Sequence, residues 1–327
     1  MKSLYLKAIG EVALVERPLP TLQPQQVLVR LQAAAYNRRD QWIRDGMYPA
    51  IEPAILGSDG CGVVEAVGES ANAYWIGKEV IINPNNNWGS NPLHQSDAYH
   101  ILGMPTDGTF AEYIAVNEDR LAPKPAHLSA EEAAALPLAG LTAYRAAFMQ
   151  GGISAESKVL ISGVGGGVAQ FAFLFAQSVG AEVWVTTGSD EKLAKMKDLG
   201  AAGGVNYRDE NWLKTLQKSG RAFDVVIDSA GGETMASLIK ILGRSGRLVF
   251  YGATLGLPPK IDLYRMFFNQ IRLQGSTMGN DQEFADMVEL VSQKKIVPLV
   301  DEILPFENVV EGLDKIATAF GKVVVRF

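Results

Sequence analysis

The chain has 327 residues, enough for two domains with substantial cores, in proportions ordinary for a globular protein. Its net charge of −6, with Lys and Arg scattered, gives no electrostatic case for binding nucleic acid or an anionic membrane. The single cysteine, Cys61, excludes an intrachain disulfide and a thiolate-based zinc site, and it fits a reducing compartment.

The opening stretch, MKSLYLKAIGEVALVERPLP, has no apolar signal-type run ahead of its charges. No apolar run approaches the roughly 20 residues of a membrane span. The expectation is a cytoplasmic protein that acts on a small molecule, with no membrane or nucleic-acid partner. Residues 1–127 read as β-rich, with Val/Ile-rich runs at 26–31, 62–67 and 79–82 separated by Gly, Pro and Asn clusters. A polar loop, 83–104, is long for a compact domain and so is expected to have a task.

From Ser129 the pattern becomes helical, and Ser129 with Glu132 forms a capping box. Strands then alternate with helices: 159–161, 183–186, 204–206, 223–228, 247–251 and 271–274. That alternation implies a parallel sheet covered on both faces. An amphipathic helix near 281–293 and a strand at 322–327 close the chain. The last strand is similar to the N-terminal part and suggests a return to the first domain. No internal repeat is present.

The stretch KVLISGVGGGVAQFAFLFAQSVGAEVWVTTGSDEK carries the strongest chemical signal. A strand runs into Gly163 and Gly165 to Gly167, then a helix, then a second strand. This order places a pyrophosphate on a helix N-terminus. In the spacing Gly163-x-Gly165-x-x-Val168, Val stands where the third small residue belongs. Gly163-x-x-Gly166-x-x-Ala169 fits better. Gly163, Gly166, Gly167 and Val168 are therefore the pyrophosphate candidates.

A carboxylate ending the second strand would favour NAD, since it binds the ribose hydroxyls and repels a 2′-phosphate. Here that strand ends Thr186-Thr187-Gly188-Ser189, and Asp190 and Glu191 come later, in the first turn of a helix. Ser189, Lys192 and Tyr207 suit a 2′-phosphate, so NADPH is the expected cofactor. Singly, Ser189 also reads as a helix N-cap and Lys192 as a solvated lysine.

LGSDGCGVVEAVG (56–68), GTFAEYIAV (108–116), LPLAGLTAYRA (136–146), the glycine loop and GSTMGN (275–280) together resemble the medium-chain dehydrogenase/reductase superfamily over essentially the whole chain. The resemblance implies an α/β protein. A GroES-like β-rich catalytic domain (1–127 and 277–327) joins a Rossmann domain, a doubly wound parallel sheet (128–276), with a cleft between them. It also implies a homodimer.

Zinc alcohol dehydrogenases of that superfamily have Gly-His-Glu where this chain has Gly57-Ser58-Asp59, and Cys in the neighbourhood of Tyr36-Asn37-Arg38. Their third ligand falls near Leu138-Ala139, and their four-Cys lobe corresponds to loop 83–104. The first three positions carry neither Cys nor His, the loop carries no Cys, and its two histidines, His94 and His100, read as surface residues. The expectation is no metal. The chain resembles the zinc-free quinone oxidoreductase and enoyl reductase branch, whose bacterial members often carry zinc-type alcohol dehydrogenase-like names.

Without zinc to stabilise an alkoxide, reduction of a quinone or an activated double bond is the easier chemistry. Hydride goes to an electrophilic carbon, and the protein must hold the resulting enolate or phenolate and supply a proton. Tyr48 in WIRDGMYP resembles the family's substrate-facing tyrosine, and a phenol with an ordinary pKa of about 10 is protonated at neutral pH. A packed Tyr-Pro turn is the alternative. Asn37 matches the family's active-site asparagine, implying a contact with the nicotinamide ribose or the substrate; otherwise it is a polar turn residue. Asp40 and Asp59 are expected to pair with Arg38 or Arg39 as structural support. Thr142 resembles the threonine beside the nicotinamide, with a bond to its own helical turn as the alternative. Tyr251 and Gly252, after the fifth strand, and Ser276 and Thr277, after the sixth, fall where an open α/β sheet binds its ligand.

Two other functions remain open on sequence grounds. One is an alcohol dehydrogenase or aldehyde reductase with an unrecognised metal site. The other is a non-catalytic NADPH-binding sensor.

Overall fold

A computed structural model describes residues 1–48, 53–220 and 222–327. The chain packs into two compact units, Met1–Leu141 with Gly279–Phe327, and Thr142–Met278.

The first unit is built on a sheet ordered Leu121–Pro123, Glu79–Ile82, Asp59–Val67, Gln26–Ala35, Lys322–Arg326 and Val300–Pro305, with Tyr113–Asn117 also paired to Gln26–Ala35. In Gln26–Ala35, Val27, Val29 and Leu31 point inward and Arg30 outward, the period-2 pattern of a half-buried strand. The pattern then gives way to Ala33–Ala34–Ala35, all buried, where two neighbours press close. On one side Lys322–Arg326 pairs antiparallel, Val324 opposite Ala35 and Arg326 opposite Ala33. The end of the chain thus returns to the first unit. On the other side Asp59–Val67 pairs antiparallel, Gly60 opposite Ala34, and just before the alanines Gly62 fits so tightly opposite Leu31 that a Cβ would lie 2.2 Å from the Arg30 carbonyl oxygen.

The core beneath this sheet gathers Leu4, Leu6, Ile43, Leu56, Leu304, Val309 and Leu313 around Phe110, whose ring lies 4.5 Å from that of Tyr36. Each such side chain contributes about 1.5–3 kcal/mol on burial. A short helix, Arg38–Arg44, buries Ile43 in the same core and ends at Asp45, before Gly46 at φ 73°. Loop 83–104 is fastened to the unit by a polar latch. Asn83 Nδ2 and Asn85 Nδ2 each donate to Asp281 Oδ1 at 3.0 Å, and Arg120 forks onto the same carboxylate at 2.7 and 2.9 Å.

The second unit holds a six-stranded sheet in the order Gly203–Asn206, Glu182–Thr187, Lys158–Ile161, Phe223–Asp228, Leu242–Phe250, Arg272–Gly275. All neighbours are parallel, so the order is 3-2-1-4-5-6, that of a dinucleotide-binding fold. Val159, Leu160 and Ile161 are fully buried without alternation, as strands covered on both faces must be. The fifth strand begins at Leu242, earlier than the expected 247, because GRSG stays in the ladder through an irregular register and Ser245 at φ 59°.

Candidate active site

Asn37 is the N-cap of helix Arg38–Arg44, in a capping-box arrangement with Asp40 at the third helical position. Its amide reaches into a buried polar network. Its Nδ2 donates to Asp59 Oδ2 at 2.9 Å, and its Oδ1 accepts from Lys322 Nζ at 2.7 Å. Lys322 Nζ also donates to Asp59 Oδ2 at 3.0 Å, and the other Asp59 oxygen accepts from the Leu138 backbone N–H at 2.7 Å. Asn37, Asp59 and Lys322 are 7%, 0% and 3% exposed. A buried ion pair persists only when its partners are well hydrogen-bonded, and these bonds engage both Asp59 oxygens and the Asn37 oxygen.

Asp40, also fully buried, accepts the Asn37 backbone N–H at 2.8 Å, and burial pushes its carboxyl up to about 6. The cation paired with Asp59 is therefore Lys322, in place of the expected Arg38 or Arg39. Arg38 donates to Gln41, whereas Arg39 donates to Ser58 Oγ at 2.7 Å and to the Leu102 carbonyl at 3.0 Å. Lys322 escaped the sequence reading, although a lysine opening the apolar run KVVV is a signal that it needs a buried partner.

Tyr48 lies past the other end of the same helix, which at seven residues is about 10 Å long. Its ring stacks on Trp42 with centroids 5.6 Å apart and planes 11° apart, and it is 44% exposed. The hydrogen-bonded network around Asn37 does not include Tyr48. Pro49 lies outside the described residues.

The nucleotide candidates gather in the second unit at the carboxyl ends of its strands. Gly163 stands at φ 63°, its N–H donating to Thr186 Oγ1 at 3.1 Å. A Cβ on Gly163 or Gly166 would meet nothing within 4 Å, so the loop leaves open space above itself. Gly166 caps helix Gly167–Ser178 without any side-chain cap, leaving N–H groups of the first turn, at Gly167 and Val168, for an anion.

Ser189 N-caps helix Asp190–Asp198, accepting the Lys192 N–H at 3.3 Å, and its hydroxyl proton is left to donate elsewhere. Tyr207, held by its N–H on the Thr187 carbonyl at 2.9 Å, lays its ring against Gly188. Ser189, Lys192 and Tyr207 thus surround one strand end. Asp190 is occupied by Asn206 Nδ2 at 2.9 Å.

At the neighbouring strand ends, Tyr251 donates its N–H to Asp228 and Ser276 donates its N–H to Phe250. Burial raises the Tyr251 hydroxyl pKa, and Gly252 rests close against the Ser229 backbone. Among the described residues Ser276 Oγ is buried without a partner; Thr277 is exposed, and Thr142 donates to Met278 Sδ at 3.5 Å. The open loop and the orphaned Ser276 hydroxyl fit a nicotinamide dinucleotide. Sequence reading missed Asp228, which accepts Ser162 Oγ and the Gly231 N–H and so ties the start of the glycine loop to the turn after its own strand.

Residues 23–126 match the alcohol dehydrogenase GroES-like domain, and residues 167–293 match the zinc-binding dehydrogenase family. A zinc-type alcohol dehydrogenase-like protein, YogA, from Leptosphaeria maculans is 35% identical over 97% of this chain and 94% of its own length. The chain belongs to the medium-chain dehydrogenase/reductase superfamily.

Other members of this superfamily differ in chemistry. A mouse (Mus musculus) quinone oxidoreductase is 27% identical over 93% of this chain and 89% of its own. The crystal structure of an NAD-dependent alcohol dehydrogenase superimposes with a TM-score of 0.94 at 35% identity, covering 100% of both chains. A crotonyl-CoA carboxylase/reductase, AntE, in complex with NADP gives 0.87 at 25% identity, covering 100% of this chain and 94% of that one.

The donor set does not fit the catalytic zinc that the superfamily's metalloenzymes carry. Both Asp59 oxygens are already engaged, one of them by an ammonium that would repel a dication. Asn37, Ser58 and Leu138 offer neither thiolate nor imidazole. Among the described residues no three His, Cys, Asp or Glu side chains converge. Cys61 is buried, and burial pushes its thiol up to about 12.

Proposed function

We propose that the protein is a zinc-independent, NADPH-dependent reductase of quinones or α,β-unsaturated carbonyl compounds. The observation that carries this reading is the Lys322 ammonium seated on Asp59 and Asn37, where the superfamily's metalloenzymes gather ligands. NADPH is supported by Ser189, Lys192 and Tyr207 around a strand end that carries no carboxylate. The bound cofactor supplies a hydride.

The chain's own residues would do the rest. Gly163, Gly166, Gly167 and Val168 hold the pyrophosphate, Ser189, Lys192 and Tyr207 the 2′-phosphate. Tyr251, Gly252, Ser276, Thr277 and Thr142 hold the nicotinamide half. As hydride adds to the acceptor carbon, the electron pair moves to its oxygen, and Tyr48 protonates the enolate or phenolate. Its half-exposed hydroxyl then regains the proton from water. Two such enzyme copies would pair along edge strand Arg272–Gly275, beside the exposed Leu263, Tyr264, Phe267 and Phe268. No helix among the described residues is long and apolar enough to cross a membrane, and the lone buried thiol suits the reducing cytoplasm.

The test follows NADPH oxidation at 340 nm with 9,10-phenanthrenequinone, 2-hexenal, crotonyl-CoA and a simple aldehyde, with NADH and chelator-treated controls. Chelator-insensitive turnover of quinone or enal is expected, and Tyr48→Phe should lower kcat by roughly 100-fold or more with NADPH binding unchanged. The alcohol dehydrogenase reading, favoured by the similarity to an NAD-dependent alcohol dehydrogenase, requires aldehyde turnover that chelation abolishes.

A further inference from the structure

The geometry points to Lys322 as a positioning residue: with Asp59 it locks the Asn37 carboxamide in one orientation, so that Asn37 meets its ligand as a hydrogen-bond donor. The argument is one of hydrogen-bond inventory. An asparagine amide offers two N–H donors and one oxygen, and its two ends are interchangeable unless neighbours distinguish them. Here they do. Lys322 Nζ can only donate, and it takes the oxygen at 2.7 Å; the Asp59 carboxylate can only accept, and it takes one N–H at 2.9 Å.

A flipped amide would set NH₂ against an ammonium and oxygen against a carboxylate, losing two charge-assisted bonds for two repulsions. Asp59 cannot drift to accommodate that, because Leu138 N–H pins its other oxygen at 2.7 Å. Nor does the backbone move, since Asp40 holds the Asn37 N–H at 2.8 Å. Among the described residues the second Nδ2 hydrogen has no partner, and it is what the residue has left to offer. Its chemistry is that of a donor to an oxygen: a substrate carbonyl that gains negative charge, or a ribose hydroxyl of the cofactor.

The inference rests on the proposed role of Asn37 and is tested so that the two fail separately. The side-chain amide protons of Asn37, assigned by their loss in Asn37→Ala, are followed by ¹H–¹⁵N NMR in the cofactor-free protein. A dispersed, exchange-protected pair is expected in wild type, averaged or lost in Lys322→Met and restored in Lys322→Arg. An unchanged pair in Lys322→Met overturns the lock whatever the enzyme does.

Kinetics with NADPH and 9,10-phenanthrenequinone or 2-hexenal then read its consequence. Lys322→Met should cost roughly 10- to 100-fold in kcat/KM, and no further loss should follow in an Asn37→Ala background. Equal losses in both backgrounds would show that Lys322 does not act through Asn37. Full activity of Asn37→Ala would remove the role of Asn37 itself. A loss confined to kcat assigns the donor to the substrate oxygen, and a matching rise in the NADPH Kd assigns it to the ribose. If Lys322→Met does not fold, the neutral pair Asp59→Asn with Lys322→Met leaves no uncompensated buried charge and takes its place.

Discussion

Asp40 offers the sharpest test of how the buried network is balanced. Its carboxyl is raised by burial from the ordinary 3.8 to about 6, with Arg39, the Asn37 N–H and Lys322 opposing and Asp59 reinforcing that rise. Because the folded value lies above the unfolded one, folding takes up a proton between roughly pH 4 and 6. The group's stability is therefore fully present below the unfolded pKa and is lost as pH rises through the folded one. Two pKa units correspond to about 3 kcal/mol in full, of which about 2 kcal/mol falls between pH 4 and pH 7.

Asp40→Asn removes that pH dependence, since the amide stays neutral while its oxygen still accepts the Asn37 N–H. The stability difference between variant and wild type should thus move by about 2 kcal/mol in the variant's favour from pH 4 to pH 7. Other carboxylates cancel in the difference. Urea unfolding would be followed by tryptophan emission in a Trp184→Phe/Trp212→Phe background. Trp42, Trp75 and Trp88 then report the first unit alone. A difference flat to within about 0.5 kcal/mol, or one that favours wild type at pH 7, would refute the account of Asp40 as a buried acid held above its ordinary pKa.

Two further outcomes test the nucleotide site. Gly166 has φ −83° and open space where a Cβ would stand, so Gly166→Val should fold with a Tm close to wild type yet weaken NADPH binding at least about 10-fold, read by fluorescence titration. Ser189→Asp retains an N-cap oxygen but sets a carboxylate beside the expected 2′-phosphate. The NADPH Kd should rise roughly 10- to 100-fold while NADH binding holds or improves. Unchanged preference would remove Ser189 from the phosphate site.

Where the fold was legible, the information was local. The glycine loop, the strands at 159–161 and 183–186 and the helix after Ser129 are each written in consecutive residues, through turn chemistry, continuous burial and a capping box. The helix Arg38–Arg44 was not read, since NRRDQWIRDG shows only two apolar positions, and this hid the distance it sets between Asn37 and Tyr48. The partner of Asp59 was out of reach for a different reason. Lys322 is 263 residues away and arrives only when the last strand pairs beside Gln26–Ala35, a tertiary event with no local signature.

That pairing also explains why Asp59, despite standing where the superfamily's metalloenzymes place an acidic residue, serves another purpose here. In the low-dielectric interior an unpaired carboxylate is expensive, and either a metal or an organic cation can answer it. The C-terminal strand delivers the organic cation. With Asp59 balanced by Lys322, and Asp40, mostly ionised at pH 7, facing the Arg39 guanidinium, the network is already near neutrality. A dication would be an uncompensated excess. Recovering a metal site would therefore require more than new ligands at 37 and 58: Lys322 would have to go as well. Lys322 and the Leu138 N–H hold Asp59 and Asn37 in place with no metal ligand among them.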